Sequence, residues 1–219
     1  MTLVKALKKF NRKERYWLIR NAFGENSRKL DPKFLRSLEG EHSIKVPENA
    51  WWAMDYHLDW LVAALHLFKC EGKGESFKRQ DNPKQTLVNG TQLDVDLIIA
   101  FDKTLIFIEA KGDAGWDYEQ LNRKIRRLQN IAIADARYLE GVKTYFILMA
   151  PKAQRKPHME EIDAVRPDWI FPEGTPRWLD LQIENEDDQK VTTFEDFNRV
   201  GRCNKEETPC KTGDFFLVK

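Results

Sequence analysis

The stretch whose reading decides the fold is DVDLIIAFDKTLIFIEAKG, Asp94 to Gly112. It holds two runs rich in Val, Ile, Leu and Phe, the composition of buried strands, with only Asp102 and Lys103 between them. A two-residue connection of that kind predicts an antiparallel hairpin. If Phe101 pairs with Thr104, continuing the register sets Asp96 opposite Glu109 and Asp94 opposite Lys111. Strand side chains alternate, so Asp94 and Asp96 share a face, as do Glu109 and Lys111; directly opposed residues have Cβ atoms about 5 Å apart. Three carboxylates and one ammonium are thereby expected at one end of a hairpin built otherwise for a core.

Carboxylates so close repel one another unless something compensates them. Lys111 offsets one charge, and a divalent cation would offset the rest. Asp and Glu oxygens are the ligands that hard ions such as Mg²⁺ or Mn²⁺ prefer. An ion there would lower the pKa of a bound water and stabilise charge on a phosphoryl oxygen. Lys111 would orient or deprotonate that water, or stabilise the transition state. The plainer reading leaves Asp94 and Glu109 in water at strand ends, with Lys111 paired to Asp94. The convergence of the whole set weighs against it.

Working outward, residues 2–68 read as mostly helical. LVKALKKF and RKERYWLIRNAFG carry apolar residues at three- and four-residue spacing, and Gly24 is placed to cap the second. Asp31 and Pro32 give an N-cap and a first helical residue for DPKFLRSLEG. A long helix is expected from Pro47 to about Lys69, with Asp55 and Asp59 one turn apart on it, and a weak strand near Gln85 to Val88. After the hairpin, DYEQLNRKIRRLQNIAIADARYLEG predicts a helix with Leu121, Ile125, Leu128, Ala132 and Leu139 on one face; VKTYFILMAP and RWLDLQI predict two further strands. The order helix, strand, strand, helix, strand argues for an α/β sandwich with a mixed sheet.

Asp96, then thirteen residues later Glu109-Ala110-Lys111, resembles the PD-(D/E)XK nuclease signature of the restriction-endonuclease-like fold. The resemblance covers roughly Trp51 to Ala150. Val95 stands where the nominal motif has proline. The tripeptide alone is weak, since Glu71-Gly72-Lys73 repeats it in a glycine-rich loop; the strand, the aspartates, the register and the following helix carry the likeness. It implies a mixed β-sheet flanked by helices, and Mg²⁺- or Mn²⁺-dependent hydrolysis of phosphodiester bonds, in DNA more often than RNA. Asp96 and Glu109 would hold the metal, Asp94 would be a further ligand or stand behind them, and Lys111 would be the catalytic lysine. Gln120, Asp59 and Asp55 would support the site, Asp59 as a metal ligand. Gln120 reads equally as half of a capping box with Asp117, and Asp113 is a weaker neighbour of the site. Arg123, Lys124, Arg126 and Arg127 crowd one helix with no acid between Gln120 and Asn130, a solvated face or a set of phosphate contacts. Trp116 reads as core or as a platform for a base. Many such nucleases cut as homodimers. The alternative is a nucleic-acid-binding or assembly module that keeps the scaffold without catalysis.

The division expected is an N-terminal helical extension over 1–46, the nuclease-like core over 47–185, and a C-terminal segment over 186–219 that packs on the core or is partly flexible. Net charge over 219 residues is +1, yet Met1 to Leu30 holds nine basic residues against two acidic ones. That cluster could meet phosphates, or be the wet side of amphipathic helices. Three scattered cysteines support neither a zinc ribbon nor a disulfide framework. No apolar run reaches the roughly 18 residues of a membrane span, so a soluble, cytoplasmic protein with no membrane partner is expected. With four histidines and no usable Ser-His-Asp or Cys-His spacing, nucleophilic catalysis fits poorly, as does a phosphate loop, which would need glycines after a strand.

Overall fold

The computed structural model describes residues 1–72, 88, 90, 93–112, 115–134, 138–151, 177–184, 189–191, 200–210 and 215–218. Three helices open the chain, α1 (Leu3–Phe10), α2 (Glu14–Phe23) and α3 (Pro32–His42), with a 3₁₀ turn over Gly24–Arg28. Gly24, at φ 59°, closes α2, and Asp31 accepts the Lys33 and Phe34 N–H groups to open α3. Then come β1 (Trp51–His57), α4 (Leu58–Lys69), β2 (Asp94–Phe101), β3 (Thr104–Ala110), α5 (Tyr118–Ala134), β4 (Lys143–Ala150) and β5 (Arg177–Asp180). These five strands form one mixed sheet in sequence order: β1, β2 and β3 run antiparallel, and β3, β4 and β5 parallel. The remaining strands pair as two small ribbons, β6 (Ile183–Glu184) with β7 (Lys190–Val191) and β8 (Val200–Cys203) with β9 (Phe215–Val218).

Helices cover both faces of the sheet. On one, Leu3 and Leu7 of α1, Leu61 and Leu65 of α4, and Ile125 and Leu128 of α5 pack on Ile98, Phe107 and Phe146. On the other, Leu38 of α3 packs with Ile99, Ile106, Ile108 and Ile147. Each such buried side chain contributes about 1.5–3 kcal/mol. The N-terminal helices share this core: Leu3, Ala6 and Leu7 are fully buried in it, and the Tyr56 hydroxyl donates to the Leu7 carbonyl at 2.9 Å.

The long helix expected from Pro47 is a correction. Trp51–His57 is a strand, paired with β2 from Trp51↔Ala100 to His57↔Asp94 at every position but Asp55. The helix starts only at Leu58, where the His57 ring nitrogen accepts the Asp59 N–H at 3.2 Å as an N-cap. Asp55 and Asp59 therefore share no helix face. The weak strand near Gln85 and the acid Asp113 fall outside the described residues, apart from Val88. Among the described residues, no helix is long and apolar enough to cross a membrane.

Candidate metal and nucleic-acid site

The hairpin forms in the expected register, Phe101↔Thr104 through Leu97↔Ile108, with Asp102 at φ 46° in its turn. There the ladder ends. One residue further, the Asp96 carboxylate takes the Ala110 N–H at 2.7 Å in place of a backbone acceptor. A side chain is thus inserted where the two strands part, and it lies against the Glu109–Ala110 peptide. Lys111, just past β3, donates its N–H to the Met149 carbonyl at 2.8 Å, which holds it against β4. Asp96, Glu109 and Lys111 are brought together.

Glu109 is the deepest of them, 4 % exposed. Its Oε2 accepts from the Lys124 ammonium of α5 at 2.5 Å, while Oε1 is buried with no hydrogen-bond partner. Burial, reinforced by the charge of Asp96, pushes this carboxyl up from 4.5 to about 8, against the pull of Lys124 and Lys111. A raised carboxyl pKa means that the fold binds the proton more tightly than the unfolded chain does. This group's contribution to stability is therefore greatest below pH 4.5 and is lost as pH rises towards 8. Relative to Glu109→Gln, wild type is expected to lose stability between pH 5 and 7, by at most about 1.4 kcal/mol per unit. Denaturant melts at several pH values check this; parallel profiles would mean that Lys124 keeps Glu109 ionised throughout.

Asp94 does not face Lys111. Its Oδ2 is bonded to the Lys13 ammonium at 2.5 Å, and its Oδ1 is buried with no partner. Asp55, at φ 48°, interrupts the alternation of β1: Trp51 and Ala53 enter the core, and Tyr56 follows them. Its carboxylate takes Arg15 at 3.0 Å. Asp59, in the first turn of α4, is 7 % exposed. One of its oxygens is bonded to Arg127 and the other to the Gly90 N–H at 2.9 Å. Both oxygens have protein partners, so it is not free as a metal ligand.

The reading of α5 needs correction too. Lys124 and Arg127 do not form a phosphate-contacting face; both are buried, bonded to Glu109 and Asp59. Arg123 does lie outside, 3.9 Å from Glu119. The half-buried Trp116 packs on the core with its ring 6.0 Å from that of Trp178. Asp117 Oδ1 accepts the Gln120 N–H at 2.9 Å, which is the Asp117 half of the capping box. Sequence reasoning missed Lys124 and Arg127 as partners of acids. Their signal was spacing: Lys124 sits three residues from Leu121 and four from Leu128, and Arg127 four from Ile131, at core positions of the helix.

Whether this site suits a divalent ion turns on Glu109 Oε1, a buried oxygen without a partner beside a second carboxylate. Two adjoining carboxylates are oxygen ligands of the kind by which Mg²⁺ is commonly held. The residues fit. Asp96 and Glu109 would hold the ion, which when bound supplies an activated water and a counter-charge for a phosphoryl oxygen. Asp96 is held by the Ala110 N–H, and Glu109 by the Lys124 ammonium. No family model matches the chain, and neither the curated proteins nor the solved structures contain a match to it.

Proposed function

We propose that this protein is a metal-dependent nuclease with a restriction-endonuclease-like fold, hydrolysing phosphodiester bonds in nucleic acid, foremost DNA. One observation carries the reading: where β2 and β3 part, Asp96 adjoins Glu109, whose buried Oε1 lacks a partner, with Lys111 two residues on, just past the strand. Such an oxygen, excluded from water, is costly unless a cation or proton satisfies it. Lys111 forms no ion pair with a described residue, which leaves its ammonium for a scissile phosphate or an attacking water. Gln120 is half-buried in the first turn of α5.

The test is incubation of the purified protein with linear, circular and single-stranded DNA, and with RNA, with and without Mn²⁺. Cleavage with Mn²⁺ and none in EDTA is expected. A second reading, a nucleic-acid-binding module without catalysis, is favoured by the Lys124–Glu109 pair, an internal neutralisation of the acid. Salt-sensitive binding with no cleavage under either ion would select it.

A further inference from the structure

The positive charge of this protein is concentrated in one place. Met1 to Leu30 carries an excess of +7 while the whole chain is +1, so the rest is net acidic. The cations of α5 do not balance this, since Lys124 and Arg127 are buried against acids. A cleft of about 600 Å³ opens between the end of α1, α2, the 3₁₀ turn and the start of β1. Lys8, Arg20, Arg28 and Lys29 line it, with Glu25 as the one acid and Asn26 among the amides.

Partners of these cations are weakly held. Arg28 meets Glu25 at 2.7 Å and Lys29 meets Glu48 at 3.9 Å, with all four side chains more than half exposed. Arg20 donates to the neutral Tyr16 hydroxyl at 2.8 Å. Exposed pairs of this kind are worth less than about 1 kcal/mol, so an arriving phosphodiester anion displaces them at little cost. The rings of Tyr16 and Trp51 are buried, which disfavours stacking and leaves charge as the means of recognition.

We propose that this cleft binds backbone phosphates of the nucleic-acid strand, a few nucleotides from the bond at Glu109. The assignment rests on the reading of the substrate as nucleic acid. Strand β1 links the two places. Trp51 and Trp52 line the cleft, and Asp55, four residues on, marks the acidic end through Arg15. At about 3.3 Å per strand residue that is roughly 13 Å along β1, and Glu109 on β3 lies two strands, about 10 Å, across; the separation of roughly 16 Å is near five nucleotides of a duplex strand at about 3.4 Å each. Arg15, with its side chain 68 % exposed, and Lys13, bonded to Asp94, stand along that path. Contact by such cations is indifferent to base sequence.

The experiment measures fluorescence anisotropy of a labelled short duplex and a labelled single strand in EDTA, where no cleavage intrudes. The variant is K8A/R28A/K29A, three exposed positions whose loss is expected to leave the thermal melt in place. The slope of log binding constant against log salt is expected to fall by about 2–3, with Kd rising about tenfold or more at physiological salt. An unchanged slope with Kd within about twofold overturns the proposal. Inorganic phosphate is the second probe. Saturable phosphate binding lost in the variant, with oligonucleotide binding unaltered, overturns the assignment to a strand. The two readings fail separately: absence of cleavage leaves this cleft standing if the variant loses binding, and intact cleavage does not rescue it if binding is unaltered.

Discussion

Lys111→Ala is expected to lower Mn²⁺-dependent cleavage roughly 100- to 1,000-fold, the loss typical of one positioned group that stabilises developing charge. Because Lys111 has no ion pair with a described residue, its removal leaves no buried charge stranded. Stability within about 1 kcal/mol of wild type is therefore expected. Single-turnover cleavage and a urea melt on the same sample separate the two effects. Glu109→Gln is expected to lose cleavage as deeply, by removing the charge that holds the ion while keeping side-chain volume. Its reading needs the melt, since it faces the Lys124 ammonium with a neutral amide. Full activity in both variants would end the assignment of this site.

Arg127→Met is expected to destabilise the fold by about 3–5 kcal/mol, because it strands the Asp59 carboxylate in the core. Asp59 and Arg127 are 7 % and 5 % exposed, and their bond ties the start of α4 to the third turn of α5. For a chain of this size the melting temperature is expected to fall by about 2–4 °C per kcal/mol. Replacing both partners, as Asp59→Leu with Arg127→Met, is expected to recover much of the loss, because no unpaired charge remains. A single variant within about 1 kcal/mol of wild type would show that water reaches the pair.

These two variants also separate what was local in the sequence from what was not. The hairpin was legible because its signal is local: two apolar runs, a two-residue turn, and a period of two that assigns every side chain to a face. The same holds for the caps at Gly24 and Asp31, for β4 and β5, and for the start of α5 at Asp117. Trp51–His57 was not legible. Its apolar residues suit either a helix or a strand, and the choice is made by pairing with β2, some forty residues away. That pairing turned Asp55 from a helical neighbour of Asp59 into a left-handed strand residue bonded to Arg15.

The sequence by itself determined that Asp96, Glu109 and Lys111 meet at one end of a hairpin within an α/β sheet, because strand alternation and turn length leave little freedom. Only the tertiary structure decided which charge answers which. Lys13 came to Asp94, Lys124 to Glu109 and Arg127 to Asp59, each from an element distant in the chain. Ionic partners are chosen by packing, which carries a side chain to a buried opposite charge whatever its separation in sequence; no local period encodes that choice.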